Sequence, residues 1–479
     1  MTSDALRFTI VALDLFERDV HLRLPFRFGA VTVRAAPQAF VRARIRDTNG
    51  HEATGWTAEL MVPKWFDKSP ARSSDDNIED LRRALALARD AYTSERAPRA
   101  AFAHTYAHYR SLLAEGAATA LNPLVVTFGA ALADRAVLDA LCRLGRVSFA
   151  AAFRANLPAL DTTLAPDLGA FDIAAFLAAR PAVSTLAARH TVGLLDPLTA
   201  ADPHEGPHDG LPVALDDVIA RYGHRHFKLK LSGAPEADVE RLARIAAVLG
   251  SLPEYAVTLD GNEQFADAAA VAEFQRALGT HADLARLRAS LLYLEQPLPR
   301  QTALSADVRE RALAMPLLID ESDDTFDAFP RAQRSGYTGV SSKNCKGPYK
   351  SLVNAARCAA AAPEARLFMS AEDLTTQCGL AVQQDLALAA LVGVTHVERN
   401  GHHYVAGFAG QHSPLREQQA FAAAHPDLYD ETPHGARLAI RDGRIAFASL
   451  DVVGYATGAA PAVDSLTPMA TLRHAHPHH

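Results

Sequence analysis

From about His190 the chain repeats one pattern: a short apolar run, a charged ending, then an amphipathic stretch of helical spacing. The apolar runs are HTVGLL, HFKLKL, YAVTLD, LLYLEQP, PLLIDES, GVSSKNC, RLFMSAED and VTHVERN, eight in all. Most are separated by segments such as ADVERLARIAAVLG or GLAVQQDLALAALVG. Strands that alternate with helices build a parallel sheet, because each helix carries the chain back to start the next strand in the same direction. Eight such units predict an α/β fold, a closed TIM-type (β/α) barrel over residues 189–430.

A barrel of this kind carries its chemistry at the carboxyl ends of the strands, where the loops build a mouth. Six consecutive runs end there in a charge: Lys230, Asp260, Glu295, Asp320, Lys343 and Glu372. Their spacings of 30, 35, 25, 23 and 29 residues each match one strand and one helix, so the six charges should converge. Taken singly, each has an ordinary reading: an acid at a strand end caps the next helix, and a strand lysine carries its head to water. Their succession favours a shared site.

Asp260, Glu295 and Asp320 form an all-oxygen donor set suited to a hard divalent cation, Mg²⁺ in the first place, with Mn²⁺ able to replace it. Asn262 and Glu321 stand beside them as supporting residues. Lys230 and Lys343 would flank whatever the cation holds. In HFKLK the period of two puts Lys228 on the same face as Lys230, where a second ammonium would lower the proton affinity of Lys230 toward general-base range. A cation holding a carboxylate between two lysines suits removal of the proton on the adjacent carbon. Glu372, if protonated, would donate a hydrogen bond to that carboxylate, although a plain loop glutamate fits the spacing equally well.

The flanking segments read differently. FTIVALDLFERDVHLRLPF and QAFVRARIRDTNGHEATGW alternate, with Asn49-Gly50 as a hairpin turn, and helical runs follow from Asn77 to Glu115 and from Leu132 to Arg146. Residues 1–145 are therefore expected to form an α+β capping domain, 146–188 an insertion or linker, and 431–470 a hairpin turning at Asp442-Gly443 and returning to the cap. The His-rich end, residues 471–479, reads as disordered. PFRFGAV and PKWFDK look like loops closing over the mouth, which makes Phe26, Arg27, Lys64 and Trp65 candidate substrate contacts. In the eighth run His396, Glu398 and Asn400 share a face, and Glu398 would meet a polar group of the substrate if that face is inward.

Composition narrows the partners. With 479 residues, 49% hydrophobic content and a formal charge of −7 spread without a basic stripe, nucleic acid and lipid surfaces are poor partners and a small molecule is the better one. Four cysteines lack zinc or redox spacing, no signal-like segment opens the chain, and no run is long and apolar enough for a membrane, which reads as cytoplasmic. A homo-oligomer is compatible with such barrels, but no interface is legible.

KLK, LDGNEQ, LEQP, IDES and SSKNCKG, in this order and at one-strand intervals, resemble the enolase superfamily, specifically its muconate lactonizing enzyme subgroup with a lysine on each side of the site. The resemblance implies a modified TIM barrel under an N-terminal cap completed by the C-terminal hairpin. It implies Asp260, Glu295 and Asp320 as Mg²⁺ ligands, Lys230 and Lys343 as the acid/base pair, and Glu372 as the strand-seven carboxyl. The expected activity is α-proton abstraction from a small carboxylate by a racemase, epimerase or cycloisomerase, with an acid dehydratase (a lyase) as the alternative. The mandelate racemase subgroup, with its histidine base on strand seven, is less similar. A metal-free Schiff-base lyase using one of the lysines, or a binding barrel without catalysis, would leave the three acids without a role.

Overall fold

The computed structural model describes residues 5–470 apart from 30, 205, 306, 307, 312, 314 and 434; the His-rich tail lies outside the described residues. The chain opens with three antiparallel strands, β1 (Phe8–Phe28), β2 (Val31–Asp47) and β3 (Glu52–Leu60). Asp47 shapes the Asn49-Gly50 turn, its carboxylate accepting from the backbone N–H of Asn49 and of His51 at 2.8 Å each.

Three helices cover this sheet: α1 (Ser74–Ser94), α2 (Ala101–Ala118) and α3 (Pro123–Leu144). Asn122 caps α3 with Pro123 at its first position, a favoured start signal. Two glycines let α3 pack at backbone distance. A methyl on Gly55 of β3 would stand 2.2 Å from the Ala140 nitrogen, and one on Gly129 would stand 2.2 Å from the Ala84 carbonyl of α1. Asp139 of α3 accepts from the backbone N–H of Trp56 at 2.8 Å and of Tyr455 at 2.6 Å, tying the helix to β3 and to the C-terminal segment.

Eight parallel strands then close into a barrel: β4 (Thr185–Val192), β5 (His226–Lys230), β6 (Ala256–Asp260), β7 (Leu291–Glu295), β8 (Leu317–Ile319), β9 (Gly339–Ser342), β10 (Phe368–Ala371) and β11 (His396–Glu398), with β11 pairing back to β4. All eight predicted runs are strands of this barrel. The first starts at Thr185, five residues before the predicted HTVGLL and inside the range read as an insertion. The remainder of that range packs onto its surroundings: Phe149 stacks on Tyr455 with centroids 3.7 Å apart, and Asp167 pairs with the barrel-helix residue Arg357 at 2.7 Å.

The predicted C-terminal hairpin takes a different form. Asp442 and Gly443 do turn the chain, with φ of 51° and 68°. The arms, however, find separate partners: β12 (Tyr429–Thr432) pairs with β13 (Gly435–Leu438), while β14 (Arg444–Ala446) pairs antiparallel with Thr185–Ala187 of β4. The reason is an open edge. Strand β5 joins β4 only from Arg189 onward, which leaves the first residues of β4 with unmet backbone groups that β14 covers. The return to the cap comes later, where β15 (Thr467–Pro468) pairs with Phe16 and Glu17 of β1. Among the described residues no helix is long and apolar enough to cross a membrane.

The close packing of α1 and α3 gives a direct test. Gly129→Ala should lower the unfolding free energy by about 1–3 kcal/mol through overpacking, read from urea curves. Gly279→Ala, where nothing lies within 4 Å of the added methyl, should leave it unchanged or raise it slightly.

Candidate active site

The charged strand ends meet where they were expected to, and Lys228 lies at their centre. Its ammonium is 2.7 Å from Glu372, 2.8 Å from Glu295 and 3.0 Å from both Asp260 and Glu398. Burial alone would pull this lysine toward its neutral form. The four carboxylates outweigh burial and hold it well above its usual range. Lys228 is therefore the counter-charge of an acid cluster, and its nearest ionic partners are carboxylates where a crowding contact to Lys230 was expected.

The paired lysines sit on opposite strands of the ring, β5 and β9, and each is bound to an aspartate. Lys230 donates to Asp260 at 2.6 Å, and Lys343 donates to Asp320 at 2.6 Å. For Lys343 the Asp320 carboxylate overcomes the cost of burial and holds the ammonium above its usual range. Asp320 is held further by Ser341 at 2.6 Å and by the buried Lys346 at 3.1 Å. Burial would raise Asp320, but Lys343 and Lys346 depress it well below the carboxylate norm.

Glu295 lies between these centres and behaves in the opposite way. Burial, with Asp260 and Glu372 crowding it, raises its carboxyl well above the usual range despite Lys228. Both its oxygens meet the one ammonium, Oε1 at 3.0 Å and Oε2 at 2.8 Å. Three acids on successive strand ends, one of them destabilised by its neighbours' charge, are chemically a donor set for a hard cation. Among the described residues no three Asp, Glu, His or Cys side chains are at present grouped to hold a metal. The lysines account for this, since Asp260 and Asp320 are each drawn onto an ammonium at 2.6 Å.

Glu372 differs from the protonated donor considered above. It accepts from Arg189 at 2.5 Å, Ser370 at 2.6 Å, Lys228 at 2.7 Å and Tyr293 at 2.9 Å. Burial would raise its pKa, but Arg189 and Lys228 prevail and keep it ionised. Glu398 does face inward, where it accepts from Thr191 at 2.5 Å and from Lys228 and Asp373 N–H at 3.0 and 2.9 Å. Asn400 joins it at 3.2 Å, whereas His396 turns to Arg189 at 2.8 Å.

Of the cap candidates, two reach the site. The Phe26 ring centroid lies 5.7 Å from the Lys230 ammonium, and that of Trp65 lies 4.2 Å from the Lys343 ammonium, so each lysine has an aromatic roof. The other two do not. Arg27 alternates away from the buried Phe26 and Phe28 and is exposed, and Lys64 donates to the carbonyls of Ser69 and Arg72 in its own loop. Asn262 donates its backbone N–H to Asp260 at 2.9 Å, and Glu321 pairs with Lys68 at 2.9 Å.

Sequence reasoning missed Arg189 and Lys346. Arg189 lies one residue before the predicted start of the first strand, and its inward register appears only once that strand is extended. Lys346 lies within SSKNCKG, three residues past the strand-end charge Lys343 and outside the one-per-strand interval. A separate cavity of about 270 Å³, lined by Phe149, Ser184, Leu391 and Phe447 with Asp451 as its one acid, lies at the other end of β4.

A parallel barrel with an acid from each of three successive strands, flanked by lysines and covered by an antiparallel cap, defines an enolase-type domain. Residues 212–446 match the family model described as enolase C-terminal domain-like. This barrel belongs to the enolase superfamily, and the chain is an enzyme of its isomerase or lyase kind. In fold it is similar to an enolase from Pseudomonas fluorescens with bound magnesium, potassium and tartrate (TM-score 0.59, 15% identity, 96% of this chain and 91% of that one). It is similar also to a dipeptide epimerase from Enterococcus faecalis complexed with Mg and L-Leu-L-Tyr (0.58, 13%, 94% and 99%). A third is a muconate lactonizing enzyme from Pseudomonas fluorescens complexed with muconolactone (0.57, 16%, 95% and 98%). No curated protein matches the chain.

The acid cluster predicts a pH signature. Lys228→Met should cost about 3–5 kcal/mol of stability near neutral pH, the usual loss on breaking a buried ion pair. Glu372, Asp260 and Glu398 have native pKa values held below their unfolded ones, so their contribution is present above about pH 4.5 and lost as pH falls. Glu295, raised, works in the opposite sense. The gap between variant and parent in urea titrations should narrow on acidification.

Proposed function

We infer that this chain removes the proton alpha to a carboxylate in a small organic acid and returns it, acting as a racemase, epimerase or cycloisomerase. Dehydration through the same abstraction is the alternative. The observation that carries this is the pair Lys230 and Lys343, on strands four apart in an eight-strand ring, each under an aromatic and each 2.6 Å from an acid. Two bases facing one carbon from opposite sides suit removal from one face and delivery to the other. The same pair supports reading the chain as one of the two-lysine muconate lactonizing enzyme subgroup.

Asp260, Glu295 and Asp320 would hold a divalent cation, Mg²⁺ or Mn²⁺. When bound it supplies positive charge that offsets the second negative charge a carboxylate acquires as its α-proton leaves. The rest is done by the chain. In the resting arrangement Asp320 favours the ammonium form of Lys343, so this lysine is no base until its aspartate is otherwise engaged. Phe26 and Trp65 keep bulk water from both ammonium groups. Lys228 binds Glu372 and Glu398 and favours their ionised forms, which leaves the proton traffic to Lys230 and Lys343.

Proton NMR in D₂O with Mg²⁺ and a panel of hydroxy acids, amino acids, N-acylamino acids, dipeptides and sugar acids should show loss of an α-proton signal in one class. Lys230→Ala and Lys343→Ala should each abolish turnover, with exchange from one stereoisomer surviving in one of the two. No exchange in any class, with Mg²⁺ bound, would sink the assignment. By calorimetry, Glu295→Gln should weaken Mg²⁺ by at least the roughly 10–100-fold that losing an outer-shell partner costs.

A further inference from the structure

The two lysines are enclosed: Lys230 is 6% and Lys343 3% exposed, and Phe26 and Trp65 are each 4% exposed. A substrate therefore reaches them only when part of the cap moves. The segment carrying Trp65 is fastened to the barrel by one compact set of bonds. Arg300 donates to the main-chain carbonyls of Trp65 and Phe66 at 2.7 Å each, and its other face grips Glu263 at 2.8 and 2.9 Å. Lys68, at the end of the same loop, reaches Glu263 at 2.7 Å, Glu321 at 2.9 Å and the Asn262 carbonyl at 2.8 Å.

We propose that Lys68 and Arg300, with Glu263 clasped between them, form a latch that holds loop 63–68 and the Trp65 ring closed over Lys343, and that opening it admits the substrate. The claim that substrate passes here rests on the function inferred above; the latch itself does not. Its placement is specific. The three barrel loops it grips follow β6, β7 and β8, the strands that end in Asp260, Glu295 and Asp320. Arg300 suits the task because its planar fork serves two carbonyls and a carboxylate at once, which an ammonium on a flexible stem does not. Lys64, in the same loop, is spent on its own carbonyls and takes no part.

The chain has two tryptophans, so a Trp56→Phe background leaves Trp65 as the sole reporter of the loop. Acrylamide quenching of Trp65 and acetylation of Lys343 by acetic anhydride, mapped by mass spectrometry, are measured on the full chain. Both should rise severalfold in Arg300→Met and in Lys68→Met, and Arg300→Lys should not restore the parent values. Unchanged quenching and unchanged Lys343 acetylation, in variants whose unfolding midpoint matches the parent, would overturn the latch. If Arg300→Met does not fold, Lys68→Met, altering a side chain still 19% exposed, decides the same question. A latch that opens as expected in a protein showing no α-proton exchange would leave the latch standing and remove the function.

Discussion

The ammonium of Lys228 is the interaction on which the rest of the site depends. Five acids converge within the mouth, Asp260, Glu295, Asp320, Glu372 and Glu398, and five cations face them, Lys228, Lys230, Lys343, Lys346 and Arg189. Buried charge in such density is tolerable only when each group is paired and hydrogen-bonded. Lys228 touches four of the five acids, so without it the others would have to take up protons or turn outward. Glu295, which burial together with Asp260 and Glu372 holds well above the carboxylate norm, is the acid that these cations leave least compensated.

Much of this was legible in the sequence because barrel topology turns a linear interval into a place. One strand and one helix per charge fixes the ring position of Lys230, Asp260, Glu295, Asp320, Lys343 and Glu372 without knowledge of any contact. What the interval does not carry is the identity of the partner. KxK shows that two lysines share a face, but whether a lysine meets another ammonium or four carboxylates depends on side chains arriving from β6, β7, β10 and β11. Glu372 shows the same limit: a strand-end glutamate reads equally as an acid or a carboxylate until Arg189 is seen beside it. Cap residues were the least legible, since Arg27 and Lys64 are as polar as any substrate contact and only backbone direction turns them away.

The Ala-rich stretch from α3 to residue 188 is less legible for a related reason. Ala-rich, Pro-punctuated sequence has weak periodicity, so its packing is decided by close backbone approach more than by an apolar stripe. Helix α3 is buried along most of its length and enters the cap through Gly55 and Gly129, residues that appear neutral in a hydropathy reading. Arg135 of that helix, fully buried, joins Glu59 of β3 at 2.8 Å and Gln384 of a barrel helix at 3.1 Å. Cap and barrel thus share a polar seam as well as the latch, and α3 is the rigid side of that junction while loop 63–68 is the releasable one.

Backbone conformation explains how one short stretch serves both site and latch. Asn262 and Glu263 have φ of 42° and 66°, and Gln296 has 33°, values that cost non-glycine residues roughly 1–3 kcal/mol each. The turn after Asp260 leaves its carboxylate inward while sending Glu263 outward within three residues, a reversal that extended or helical backbone does not achieve. Gln296 offsets its own strain by bonding. Its amide oxygen accepts from the N–H of Asp320 at 2.8 Å and of Ser322 at 3.1 Å, and its nitrogen donates to Ser322 and to the Leu298 carbonyl at 2.8 Å each. Glu295 and Asp320 are therefore held in fixed relation by the residue that follows Glu295. The strain is found at two of the three acid-bearing strand ends, where the side chains must be aimed, and the latch takes hold of the same turns from outside.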